Sequence, residues 1–348
     1  MSKRKIGIMG AGIVADFNHI PAIQASNAWE VAAVFDPDPV KLRKVQNKCG
    51  IDPAICHGDV DSFFRDGGFE AVSITSPAPT HHANALLAAR HGKHVLCEKP
   101  MAMNAEEGRA MLAAAAAAKV QFWMGLVCRF TPVAQKIREL VRQKAIGEVR
   151  ALRLVFNWAC HGRYKVDDET GEYGINKRRE GRMAEGGPLV DCGPHEIDLA
   201  CWWLGSPIIR QEGFGAWVED GYAAPDHVWL HLDHANGAHT MIETSFAYGH
   251  TSKEKVSEYL YELIGTDGVI RYDRGQKTLA VHGKDADYAL PTDEDRGFRA
   301  MYDEFARAIE SGHSELLASG AEGLELTRVS RLATEEAINK HGLLRREK

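Results

Sequence analysis

Near the start of the chain, Gly10-Ala11-Gly12-Ile13-Val14-Ala15 has the spacing of a dinucleotide-binding turn. Gly10 permits a tight turn, Gly12 lets the backbone approach a pyrophosphate, and Ala15 keeps the following helix close to a sheet. The helix that begins at Ile13 and Val14 adds backbone N–H donors and a partial positive charge at its N-terminus. Asp36 follows at the distance where a carboxylate accepts from the adenosine ribose hydroxyls and repels a 2′-phosphate. Neither Pro37 nor Asp38 brings a cation to offset that charge, so NAD is expected in preference to NADP.

Three further segments carry groups suited to moving protons and charge: Ser76-Pro77-Ala78-Pro79-Thr80-His81, Cys97-Glu98-Lys99-Pro100, and the run from Glu185 to Asp198 that holds Asp191 and His195. Oxidising a carbinol removes a hydride and a proton, so a base must reach the hydroxyl. Histidine titrates near neutral pH, which suits His195 to that task. A lysine stays cationic unless its pKa is depressed, which suits Lys99 to holding the hydroxyl and stabilising alkoxide charge. Asp191 and His195 are four apart and share a face if both are helical. Asp191 then orients His195 or holds a neighbouring hydroxyl. Plainer readings exist for each: a turn cap for Asp36, a solvated side chain for Lys99, a helix-start histidine for His195, backbone bonding for Asp198. Cys160, His161, Cys192 and His195 fit no compact zinc spacing, and no metal is expected.

The elements around these groups can be read from periodicity. Short apolar runs at residues 6–9, 31–35, 71–74, 94–97 and 121–125 alternate with helical stretches such as 80–91 and 105–119. Continuous apolar strands separated by helices predict a parallel sheet buried on both faces, hence a doubly wound α/β domain over residues 1–127. Ligands bind at the carboxyl edge of such a sheet, where Ser76, Glu98 and Lys99 fall. The pattern changes at an amphipathic helix, 132–143. Longer alternating strands follow at 148–158, 226–232, 239–246, 258–264 and 279–282, with closing helices at 297–311 and 321–340. Residues 128–348 are therefore expected to form an α+β domain with a large open, mostly antiparallel sheet.

Bulk properties exclude several classes. The 348 residues are 45% hydrophobic and 26% charged, enough for full cores in two domains. A net charge of −6 argues against a nucleic-acid partner. No apolar run reaches a membrane span or resembles a secretion signal. Seven scattered cysteines without a CxxC pair fit free thiols in the cytoplasm.

Together these motifs resemble the glucose–fructose oxidoreductase and inositol dehydrogenase (Gfo/Idh/MocA) family over essentially the whole chain. The resemblance rests on Gly10 to Ala15, Ser76-Pro77 through His81, Gly92-Lys93-His94-Val95 before Glu98-Lys99-Pro100, and Asp191 with His195 and Asp198. It implies an N-terminal Rossmann domain, a tightly held NAD or NADP, and oxidation or reduction of sugars and polyols. It further implies self-association through the open sheet face, as dimer or tetramer. Lys99 matches the family lysine near the nicotinamide, and Asp191 and His195 match the residues that complete the site. His195 is taken as base, Lys99 as electrostatic partner and Asp191 as orienter, with the base assignment open between His195 and Lys99.

The chain also departs from the family pattern. Val127-Cys128-Arg129-Phe130-Thr131-Pro132 stands where Asn-Arg-Arg-Phe is common, and Pro188 replaces the third glycine of a Gly-Gly-Gly run. Pro188 is expected to stiffen the approach to Asp191. Substrate selectivity is expected in residues 157–183, with Arg129 and Arg163 as further contacts. That stretch carries Arg163, Lys165, Lys177, Arg178, Arg179 and Arg182. They either recognise an anionic sugar or form a solvated loop balanced by Asp167, Asp168, Glu169 and Glu172, and the balanced loop is the better reading of the sequence. Two other functions share the hydride machinery or the fold: a glycosidase that recycles NAD through oxidation, elimination and reduction, and a non-catalytic sensor. Retention of Lys99, Asp191 and His195 argues against the sensor.

Overall fold

The computed structural model describes residues 2–160, 164–166, 173–219, 221–254, 256–293 and 295–346. Contacts divide the chain into two compact units. The first contains Met1–Phe130 and, after a long excursion, Arg296–Thr327. Its strands are β1 (Arg4–Met9), β2 (Trp29–Phe35), β3 (Cys56–His57), β4 (Ala71–Ile74), β5 (His94–Cys97) and β6 (Phe122–Met124). They run parallel in the order β6-β5-β4-β1-β2-β3. The crossovers carry helices α1 (Ile20–Ala25), α2 (Pro39–Cys49), α3 (Val60–Asp66), α4 (His81–Arg90) and α5 (Ala105–Ala117). Ile6, Ile8, Val72, Ile74 and Val95 are fully buried, as expected when helices cover both faces of a parallel sheet. Side-chain caps start the helices: Asp38 accepts from Val40 N, Asp59 from Ser62 N and Asn104 from Glu107 N. The five strands read from the sequence are all present; the two-residue β3 was too short to give a pattern.

The second unit, Thr131–Asp295 with Arg328–Lys348, opens with α6 (Pro132–Arg142), whose Val133, Ala134, Ile137 and Leu140 are buried. Strand β7 (Val149–Asn157) leads to a small hairpin, β8 (Tyr164–Val166) and β9 (Tyr173–Ile175). Three helices follow: α7 (Lys177–Ala184), α8 (Pro188–Asp191) and α9 (Gly193–Leu204). The remaining strands are β10 (Ile208–Ala216), β11 (His227–His234), β12 (His239–Ser245), β13 (Glu258–Gly265), β14 (Gly268–Asp273), β15 (Thr278–Gly283) and β16 (Asp287–Pro291). The eight-stranded sheet has the order β10-β11-β12-β7-β13-β14-β15-β16, antiparallel except where β12 meets β7. Along β11, Val228, Leu230 and Leu232 are buried while His227, Trp229, His231 and Asp233 are half-buried, so one face is covered and the other is open.

The sequence reading missed β10, β14 and β16, for physical reasons. Gly213 in β10 faces a helix backbone so closely that a Cβ would lie 2.0 Å from Ala333 O; glycine makes the packing possible and erases the strand signal. Gly268 opens β14 under similar crowding from His282 O. The edge strand β16 is mostly exposed and carries little apolar pattern.

The chain closes with α10 (Phe298–Ser311), a two-residue strand β17 (Ala318–Ser319) antiparallel to β6, and α11 (Gly320–Arg346). A division at residue 127 assigns α10 to the second domain, but α10 packs on the first unit. Trp29 stacks on Phe305 at 5.3 Å and its Nε1 donates to Tyr302 O at 2.8 Å. An amphipathic helix does not announce in its sequence which core it will cover. Among the described residues, no helix is long and apolar enough to cross a membrane.

Candidate functional site

In the first unit, Gly10 adopts φ +107° and sits so close to Ser76 that a Cβ would lie 2.6 Å from its N and Cα. Only glycine fits there. Thr75 Oγ1 donates to Gly10 O at 2.7 Å and pins the turn to the end of β4. A Cβ on Gly12 would meet nothing within 4 Å, so the space above that backbone is open for a ligand. Ile13 is exposed, Val14 half-buried and Ala15 buried against the sheet. The helix then widens into a π turn over Ala15–His19.

Asp36 is buried at the end of β2, its Oδ2 accepting from Ala11 N at 2.9 Å and its Oδ1 from Asp38 N at 3.0 Å. These bonds fix the carboxylate beside the glycine turn. Lys41 Nζ lies 3.7 Å from Asp36 Oδ1, a cation the sequence reading passed over because it searched only the two residues after Asp36.

Ser76 is half-buried and Pro77 exposed. Ser76 Oγ accepts from Thr80 Oγ1 at 2.7 Å and Asn84 Nδ2 at 2.9 Å. His81 is buried, with Nε2 2.8 Å from Ser76 O and Nδ1 2.8 Å from Pro100 O. It ties the loop after β4 to the loop after β5. Burial holds its pKa below the usual histidine range, against both carbonyls.

Glu98 is buried too: Oε1 meets His19 Nε2 at 3.0 Å and Oε2 accepts from Lys99 N at 3.1 Å. His19 Nδ1 meets Tyr302 Oη at 2.7 Å, and Tyr302 Oη meets Ser73 Oγ at 2.8 Å. A buried polar chain thus runs from Ser73 through Tyr302 and His19 to Glu98, directly behind half-buried Lys99 and its cis peptide to Pro100. Burial raises the Tyr302 pKa far above its ordinary value, so the phenol stays protonated. His19 and Tyr302 were not foreseen; the only sequence signal was a histidine at the end of the fingerprint helix. Arg129 is buried and pairs with Glu322 Oε1 at 2.7 Å, which commits its charge inside this unit.

In the second unit, Gly186 (φ +125°) and Gly187 (φ +77°) turn the chain into α8. Pro188 occupies the first position of that helix, where its missing N–H costs nothing. Asp191 ends α8 and His195 lies in the first turn of α9, with Cys192 between the two helices. Asp191 is 6% exposed and His195 is half-buried. Arg182 of α7 reaches Asp191 Oδ2 at 2.8 Å, a partner the sequence reading did not assign. Burial opposes the Arg182 charge most, but Asp191 together with Cys192 and Cys160 outweighs it and holds the guanidinium pKa above its ordinary value. Burial pushes the neighbouring Cys160 thiol up to about 11, so it stays protonated. Asp198 is buried. Arg163 and His161 lie outside the described residues.

The residues of the first unit fit NAD: a glycine turn open above Gly12, the helix start at Ile13 and Val14, and an oriented carboxylate at Asp36. Comparison with known proteins agrees. Residues 4–126 match the GFO_IDH_MocA model, described as an oxidoreductase family with an NAD-binding Rossmann fold, and residues 134–271 match the GFO/IDH/MocA C-terminal domain. A D-apiose dehydrogenase from Rhizobium rhizogenes is 27% identical over 97% of this chain and 96% of its own. A D-glucoside 3-dehydrogenase from Escherichia coli is 30% identical over 71% of each chain. The solved structure of an oxidoreductase from Agrobacterium radiobacter superposes with a TM-score of 0.81 over 97% of both chains at 24% identity, which speaks to the fold.

Proposed function

Because this chain belongs to the Gfo/Idh/MocA oxidoreductase family, we propose that it is an NAD-dependent dehydrogenase acting on a carbinol carbon of a sugar or cyclic polyol. The observation that carries the reading is the cofactor cradle. Gly10 is closed onto Ser76, Gly12 faces open space, and Asp36 is fixed by two backbone donors. The named relatives act on apiose and glucosides, which supports a sugar substrate.

NAD, when bound, accepts the hydride. The chain supplies the rest. Gly10, Gly12, Ile13, Val14, Asp36, Ser76, Pro77, Glu98 and Lys99 are the proposed cofactor contacts, with His81 setting the loops. The Lys99 ammonium holds the carbinol oxygen and stabilises negative charge developing on it. The His195 imidazole takes the hydroxyl proton. Asp191, paired with Arg182, fixes His195 or an adjacent hydroxyl. Asp36 favours NAD over NADP, and Lys41 narrows the margin by neutralising part of its charge. Self-association through the open face of the second sheet is part of the same proposal. Half-buried Trp229, His231 and Met241 on adjacent strands support it, and light scattering reads the subunit number. All seven cysteines are free thiols, which suits a cytoplasmic enzyme.

The test is absorbance at 340 nm with NAD and with NADP against polyols, aldoses and sugar acids. Reduction with one compound class establishes the reading. Silence throughout, with NAD demonstrably bound, overturns net dehydrogenation and turns attention to glycoside cleavage with recycled NAD.

A further inference from the structure

Asp191 pairs with one guanidinium of α7, and a second guanidinium of the same helix lies within its electrostatic reach. Helix α7 sets Arg178 and Arg182 four residues apart, so they project from the same side. Arg182 is engaged: it pairs with Asp191 at 2.8 Å and lies over the Trp158 ring at 5.7 Å. Arg179, between them, is fully buried and balanced by Glu219, with further bonds to Ala159 O and Phe246 O. Glu180 accepts from Tyr222 Oη at 2.7 Å. The half-buried Arg178 guanidinium has no hydrogen bond or ion pair among the described residues. Its charge is felt by Arg182, a like charge, by Cys160, and by Asp191, which Arg182 already holds. Burial and then Arg182 lower its pKa, which marks a cation short of an anion.

A partly desolvated guanidinium without a counter-charge is costly unless a ligand supplies one. Among the described residues, Arg178 and Arg182 share the single carboxylate of Asp191, which Arg182 holds, and a ligand carboxylate would supply a second. The planar fork of arginine matches a carboxylate through two parallel hydrogen bonds. We propose that the reacting sugar carries a carboxylate, as an aldonate or uronate does, and that Arg178 is the residue that selects it. The inference rests on the reading that Asp191 serves the substrate of an NAD-dependent dehydrogenase. The carboxylate itself is unchanged in the reaction. At the carbinol, C–H leaves as hydride to NAD⁺ and O–H gives its proton to the base, leaving a carbonyl, NADH and one proton. Of the described acids, Asp191 is held by Arg182, Glu219 by Arg179, and Glu180 accepts from the Tyr222 hydroxyl, while Asp167, Asp168, Glu169 and Glu172 lie outside the described residues.

The experiment compares kcat/KM of the whole protein with NAD for matched pairs, D-glucuronate against D-glucose and D-galacturonate against D-galactose, at low and high salt. The wild type is expected to favour the acid by about 10- to 100-fold, the worth of one charge-assisted pair, with the margin shrinking in salt. Arg178→Gln should lower the acid-to-neutral ratio by a similar factor, mainly through KM, and Arg178→Lys should restore part of it. NAD binding by each variant checks that it is folded. A wild type that prefers the neutral sugar, or a ratio untouched by Arg178→Gln in a folded variant, overturns the proposal and leaves the dehydrogenase reading standing. No NADH from any sugar, with NAD bound, overturns both.

Discussion

Asp36, His81 and Glu98 in the first unit each have partners within that unit at 3.1 Å or less. In the second unit, by contrast, α7 presents two same-side arginines, and among the described residues only Arg182 has a carboxylate partner. Under the proposed function, the difference matches two tasks. A unit that holds one invariant ligand gains from groups locked before the ligand arrives. A unit that chooses among substrates gains from a charge that only the right substrate satisfies, since leaving it unmatched penalises every other.

The contrast can be broken most severely at the chemistry. His195→Ala should cut turnover by about two to four decades while NAD titration by fluorescence changes little; full turnover would remove His195 from the base role. Asp36→Ala should come next, weakening NAD by about 10- to 100-fold and narrowing the gap to NADP. An unchanged gap would show that Lys41 already cancels Asp36. Tyr302→Phe removes the hydroxyl that joins His19 to Ser73 and should lower unfolding free energy by about 1–2 kcal/mol, leaving the acid-to-neutral substrate ratio untouched. A shifted ratio would break the separation of tasks.

The smallest effect concerns pH. Burial lowers the His81 pKa in the folded chain, so the unfolded state takes up a proton first as pH falls below about 6.5. Stability should therefore decline from pH 7 downward. His94, His231 and His234 shift in the same direction, so the measurement is the difference in slope between wild type and His81→Gln. Equal slopes would mean that the two carbonyl contacts keep His81 charged.

Much of this was legible in the chain. The Gly10–Ala15 turn, Asp36 and the five strand runs read directly, because fingerprint glycines and doubly buried strands leave local signatures. Arg182 on Asp191, Tyr302 behind Glu98 and Arg129 on Glu322 did not, because each joins residues distant along the chain or helices whose facing is set by packing. The surroundings of Arg178 and Arg179 separated only in three dimensions. As neighbours in a basic run they look alike, yet one is buried on Glu219 and the other has no such partner among the described residues.

The first unit is discontinuous, and this bears on how the protein is made. Synthesis delivers residues 1–130 early, but Tyr302 and Phe305 arrive only after the intervening segment up to Asp295. Until then Trp29 lacks the ring it stacks on, and Ser73 and His19 lack the phenol between them. A ribosome stalled before α10 should hold a nascent chain whose nucleotide-binding half is protease-sensitive, although every residue of the glycine fingerprint has long since emerged.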